Sequence, residues 1–262
     1  MRKGNKLICV VGLLLLPSIV HAANNQDKSS DLGIQMEAGD ASVPSIVDPE
    51  KPSPEKPIVP LDPDDKPGGI TNFPGPLSLD FVSRFYFGNQ WISSKDKSYK
   101  AAAQRYIDHD GVSRESINFI QITDTRGNNN DSWSVSVQQV EAFHHGTQIL
   151  TGAEIVLSNL MTHSNSQSLA PVVKSGESVI NSAEQTLVTS GPNQGAGTWV
   201  IGLGHPENLI NKKLDIGEYG DKTTKLSPDI KLIIPGESKK VAQEYTATID
   251  WKLKNVPGNI AQ

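Results

Sequence analysis

Across residues 70–262, apolar and polar positions alternate in short runs separated by clusters of Gly, Asn, Asp, Ser and Pro. Leu77, Leu79 and Phe81 alternate with Ser78, Asp80 and Val82. Trp133, Val135 and Val137 alternate strictly with Ser132, Ser134, Ser136 and Gln138. Ile155 and Leu157 follow, then Trp199, Ile201 and Leu203, then Ile230, Leu232 and Ile234 ahead of Pro235. In the last run Tyr245, Ala247, Ile249, Trp251 and Leu253 alternate with Thr246, Thr248, Asp250, Lys252 and Lys254. A period of two belongs to an extended strand, whose successive side chains point to opposite faces. The run from Ile117 to Ile122 is apolar at both parities, which predicts a strand covered on both sides. Many such runs with turn residues between them predict an all-β domain, an antiparallel β-sandwich or barrel-like fold. Residues 100–107 and 181–187 are too short or ambiguous to assign, and no repeat at a fixed period is visible.

The first 69 residues do not share this pattern. Arg2, Lys3 and Lys6 precede a short apolar run that ends at Pro17, and Val20-His21-Ala22 offers small residues at a signal-peptidase spacing. Residues 1–23 are therefore expected to be a secretory signal peptide, too short to span a bilayer. Cys9 is the only cysteine and lies inside that leader, away from the cleavage point, so a lipoprotein signal is set aside. The exported chain then has no disulfide and depends on its core. Residues 24–69 carry Pro44, Pro49, Pro52, Pro54, Pro57, Pro60, Pro63 and Pro67 among Asp, Glu and Lys. Proline removes backbone donors and favours extended geometry, so a disordered Pro-rich linker is expected there, with the β domain starting at residue 70.

Charge narrows the partners. The chain holds 24 basic and 29 acidic residues, a net −5. Loss of the leader removes three basic residues and no acidic one, leaving 21 against 29, about −8. Such a chain lacks the basic footprint of a nucleic-acid-binding protein, and bulk attraction to an anionic wall polymer is excluded as its mode of binding. After leader cleavage no transmembrane segment remains. Catalytic motifs are missing: no Gly-x-Ser-x-Gly elbow, no His-Glu-x-x-His, no phosphate-cradling glycine loop and no Cys/His metal spacing. His144 and His145 are adjacent, and adjacent strand residues face opposite ways, so they make a poor joint ligand set. The oxygen-rich stretch from Asp124 to Asp131 lacks the glycine and distal glutamate of a calcium loop and reads as a hairpin turn. No enzyme activity, cofactor or metal is expected.

Tyr245, Ile249, Trp251, Leu253 and Pro257, at their spacing near the chain end, resemble the C-terminal signature of the WxL domain family, surface proteins of low-GC Gram-positive bacteria. The family has a second, upstream Trp-x-Leu element. Trp133-Ser134-Val135, after the Arg126-Gly127 turn, resembles it with valine in place of leucine. Leu77 to Val82, Phe87-Gly88 and Leu150 to Leu157 are also similar to family members. The resemblance implies a β-rich domain that attaches non-covalently to peptidoglycan, with Trp133, Val135, Trp251 and Leu253 as ligand-binding residues. It also implies partners among membrane-anchored WxL-interacting proteins and sortase-anchored surface proteins. The chain ends at Gln262 with no sorting motif or apolar tail, so retention at the cell wall is expected to rest on binding. The alternative is a protein-interaction subunit that docks partner surface proteins and touches no glycan.

The two tryptophans admit two readings. Each shares its strand face with other apolar residues, which is how a core residue sits. Alternatively the indoles line a cleft and stack on sugar rings, each offering an apolar face and one N–H donor. Because only serines flank Trp133, its strand is expected to be thinly packed, with Trp133 the cleaner ligand contact and Trp251 partly buried.

Overall fold

The alternating runs are rich in Val, Ile, Thr and Trp, whose branched or aromatic side chains suit a pleated, half-covered surface. They form strands throughout the computed structural model, which describes residues 34–39, 44–62, 66–69, 71, 74–127, 132–215 and 221–256. In chain order these are β1 (Val59–Leu61), β2 (Leu77–Val82), β3 (Lys97–Ala102), β4 (Gln104–Ile107), β5 (Ser113–Ser116), β6 (Phe119–Asp124), β7 (Ser132–His145), β8 (Gln148–Ile149) and β9 (Glu154–Leu157). There follow β10 (Leu160–His163), β11 (Val172–Val173), β12 (Ser178–Ile180), β13 (Gln185–Ser190), β14 (Gly197–Leu203), β15 (Ile210–Asp215), β16 (Asp221–Ile234) and β17 (Thr246–Val256). A single 3-10 turn, Pro206–Asn208, is the only helical element among the described residues. The ambiguous residues 100–107 belong to β3 and β4, and 181–187 run from a turn into β13.

Four antiparallel sheets result. One runs β10-β14-β6-β2, a second β11-β13-β7-β17 with β8 on β7, and a third β12-β9-β16-β15 with β3 on β16. The fourth is small, β1-β4-β5. The first sheet turns Leu79, Ile120, Ile122, Trp199, Ile201 and Leu203 inward. The second answers with Trp133, Val135, Val137, Leu187 and Val188, and the third with Ile155, Leu157, Ile230 and Leu232, so all three share one core. This is the expected all-β fold of antiparallel sheets, and most of its inward residues are those of the alternating parity. One connection differs from expectation. The stretch after Asp124 joins β6 to β7, which lie in different sheets, so it crosses between layers instead of closing a hairpin. The tip of that stretch, residues 128–131, lies outside the described residues, as do the expected leader and Pro257.

The expected linker requires correction. Far from being a structureless spacer up to residue 69, the chain from Pro44 to Asp62 is part of the β domain. Val47 bridges Pro57, β1 pairs with β4, and Leu61 bridges Pro67. Ile46, Val47 and Ile58 are buried against Phe81, Tyr106, Phe119 and Val200, which project from the outer side of the first sheet and from β4. A polar network fixes the same segment. Gln121 accepts from the Val47 N–H at 2.8 Å, donates to the Ser45 carbonyl at 2.9 Å and donates to Asp80 at 2.9 Å. Thr123 and Ser78 hydroxyls also donate to Asp80, and burial raises that carboxyl above the ordinary aspartate range against their opposing pull. Tyr106 donates to Asp48, and Ser116 to Glu50. Proline frequency misleads here because a strap lying across a sheet needs few ladder bonds. Ile46, Val47 and Ile58 supply the burial instead. The strap also explains why β6 is buried at all six positions.

Candidate functional site

The two tryptophan stretches, more than a hundred residues apart, are neighbouring strands. β17 runs antiparallel to β7 with Val256 opposite Ser132, Asn255 opposite Trp133, Leu253 opposite Val135 and Trp251 opposite Val137. Directly opposite residues share a face, so Trp133, Val135, Trp251 and Leu253 all belong to one row facing the core. They do not form a pair of clamping indoles. Trp133 and Trp251 are offset by four residues along the seam, roughly 14 Å.

Their burial differs. Trp133 is 1 % exposed and Val135 is 0 % exposed, whereas Trp251 and Leu253 are half-buried. The expectation of a thinly packed strand around Trp133 therefore fails. β13 covers one edge of β7 and β17 the other, and the loop after β13 closes over the indole. Gly195 has a φ of +71°, and a β-carbon there would come within 2.8 Å of Trp133 Cζ2 and 2.8 Å of Ser190 Oγ. Only glycine permits this approach. The Trp133 ring N–H has no hydrogen-bond partner among the described residues, while the Trp199 ring N–H donates to the Ala196 carbonyl at 3.0 Å.

β17 has a different character. It closes one end of its sheet, and among the described residues it pairs with β7 alone. Its inward row, Tyr245, Ala247, Ile249, Trp251 and Leu253, packs on the core yet is half-buried at every position. The apolar layer is thus unfinished along this rim. The outward row is polar. Glu184, from the turn before β13, gathers Lys254, the Ser136 hydroxyl at 2.7 Å and Lys252 at 3.3 Å. Those donors, Lys254 foremost, lower the Glu184 carboxyl to about 2. Lys252 also donates to Gln138 at 3.1 Å. Arg126 ties the rim to the first sheet: it grips Asp124 at 2.8 Å and donates to Asn255 at 2.6 Å. The Arg-Gly turn thus anchors the end of β17.

Two features had no counterpart in the sequence reading. Lys252, Lys254 and Glu184 form one cluster, and only Lys252 and Lys254 could have been noted from alternation; Glu184 is far away in sequence. In the segment between β2 and β3, Trp91 is 95 % exposed beside the exposed Ile92. It follows the buried Phe87, whose carbonyl accepts from Gln90 at 2.6 Å. A tryptophan outside any alternating run was the available signal. His144 and His145 lie at the end of β7 as consecutive strand residues, with Nδ1 atoms 3.0 Å from the Ala142 carbonyl and 3.1 Å from the Glu244 carbonyl respectively.

Comparison with known proteins bears on the chain as a whole. A search of curated proteins and a search of solved structures each gave no match. The family described as WxL domain surface cell wall-binding matches residues 23–257, a span that includes the strap, both tryptophan strands and all three large sheets. Its description is one of binding at the cell surface, not of catalysis. With nearly the whole chain matched, the protein belongs to the WxL domain family of surface cell wall-binding proteins.

Proposed function

We propose that the protein is exported and attaches to the Gram-positive wall by binding peptidoglycan at the β17 rim. The observation that carries this reading is the half-covered apolar row from Tyr245 to Leu253 on an open edge, in a chain of a wall-binding family. A sugar ring has an apolar face that suits an exposed indole edge, and it has hydroxyls for polar side chains at the rim. Trp251 and Leu253 are the contact residues in this reading. Trp133 and Val135 carry no contact and hold β7 in place beside β17. Lys252 and Lys254 lie on the opposite face of the strand, paired with Glu184, and hold the rim in place.

The test is co-sedimentation of residues 24–262 with purified peptidoglycan, free of other proteins and of anionic wall polymers. Binding should persist with little change between low and physiological salt, because screening weakens mainly long-range charge attraction. Near-complete release at moderate salt would contradict contact through the apolar row. A second reading, docking of membrane-anchored or sortase-anchored surface proteins, draws on a different feature, the exposed Trp91-Ile92 pair. Exposed aromatic residues of this kind act as anchors in protein interfaces. The same sedimentation separates the two readings, since docking alone leaves the protein in the supernatant.

A further inference from the structure

We infer that β17 pairs with β17 of a second copy, antiparallel and centred on Trp251, to make a two-fold dimer with one continuous sheet. An open strand edge presents unpaired N–H and C=O groups and is a template for another strand. Proteins usually blunt such an edge by shortening it, bulging it, inserting proline or placing lysines on it. β17 is 11 residues long and free of proline, its register shifts against β7 place the extra residues in β7, and its lysines Lys252 and Lys254 are engaged by Glu184.

The strand's own sequence then selects a register. A two-fold axis perpendicular to the sheet keeps each row on its own face and sets one residue opposite itself. With the axis at Trp251, Thr246 meets Val256 and every residue of the strand is paired. Ile249 meets Leu253, and Trp251 meets Trp251, so the unfinished apolar row of each copy is extended by the other's. On the opposite face Asp250 meets Lys252, twice by symmetry. Opposite charges facing across strands stabilise a sheet, and like charges destabilise it. Moving the axis by one residue sets Asp250 against Asp250 or Lys252 against Lys252. Asp250 is exposed, and among the described residues its carboxylate has no ion-pair or side-chain partner, so this pairing gives it one. The inference concerns the same rim as the wall-binding reading but uses the backbone groups along the strand edge. The two indoles lie side by side on one face and leave the glycan reading intact.

The experiment is sedimentation velocity and light scattering on residues 24–262 without glycan, over a range of protein concentration. The wild type should move from monomer to dimer mass as concentration rises. Asp250→Lys leaves the Lys252–Glu184 contact in place but sets two lysines opposite each other at both symmetric positions, so the dimer should weaken by about tenfold. The double variant Asp250→Lys/Lys252→Asp restores opposite charges and should restore the dimer. Melting curves on each variant confirm that the fold is kept. A wild type that stays monomeric at every concentration overturns the inference. So does a dimer that ignores Asp250→Lys, or one that the double variant fails to rescue.

Discussion

Deleting residues 24–62 is expected to destabilise the domain by several kcal/mol, not merely to shorten a stalk. The deletion takes away Ile46, Val47 and Ile58 and uncovers Phe81, Phe119 and Val200 on the first sheet. Burying one such side chain contributes about 1.5–3 kcal/mol, so the gross loss is large. Part of it is offset because the strap no longer has to be ordered, while the hydrogen bonds that Gln121, Tyr106 and Ser116 make to the strap are lost as well. The remainder is the strap's net docking free energy, and a sheet bared on its outer side also exposes an apolar patch that favours aggregation. Residues 63–262 should therefore melt well below residues 24–262, bind a hydrophobic dye and tend to aggregate. A monodisperse truncated protein that melts within two or three degrees of the longer one would show that the strap is not an integral layer.

Replacing Trp133 with alanine should remove about 3–5 kcal/mol of stability. A domain of this kind has roughly 5–15 kcal/mol in total, so the variant sits near its unfolding threshold. The indole packs between β7, β13 and the loop at Gly195, so its truncation leaves a void beneath that loop. Gly195→Ala should reproduce the effect in part. It forces a side chain into a left-handed backbone, at about 1–2 kcal/mol, and drives a methyl group into the indole. Wall binding by Trp133→Ala should be lost only in proportion to unfolding, so the folded fraction of the variant should bind like the wild type. If instead the variant stays as stable as the wild type and fails to bind, Trp133 is a contact residue and the burial described above has no functional meaning.

The fold was legible where a strand has one dry face. Trp133, Val135 and Val137, or Trp199, Ile201 and Leu203, announce their core side by period alone, and the run from Ile117 to Ile122 announced its second cover. What covered that second face was not legible. The strap's apolar residues come as short pairs between prolines, and their burial depends on Phe81, Phe119 and Tyr106, which are distant in sequence. The site was half legible for a similar reason. Alternation places Trp133 and Trp251 each on an apolar face, but which strand is interior and which is the rim depends on the order β11-β13-β7-β17. No local pattern encodes that order. The serines beside Trp133 suggested thin packing. They line the polar outer face instead, where Ser136 bonds to Glu184, and do not bear on the indole beneath.

The most direct test is the peptidoglycan-binding isotherm of Trp251→Ala, measured alongside its denaturation curve. Trp251 is half-buried, so truncation should cost about 2–3 kcal/mol, leaving a folded domain. The expected result is a cooperative unfolding transition with binding to purified peptidoglycan abolished or weakened by at least about tenfold, a loss of some 1.4 kcal/mol or more. Wild-type affinity in the folded variant would contradict attachment through the β17 rim.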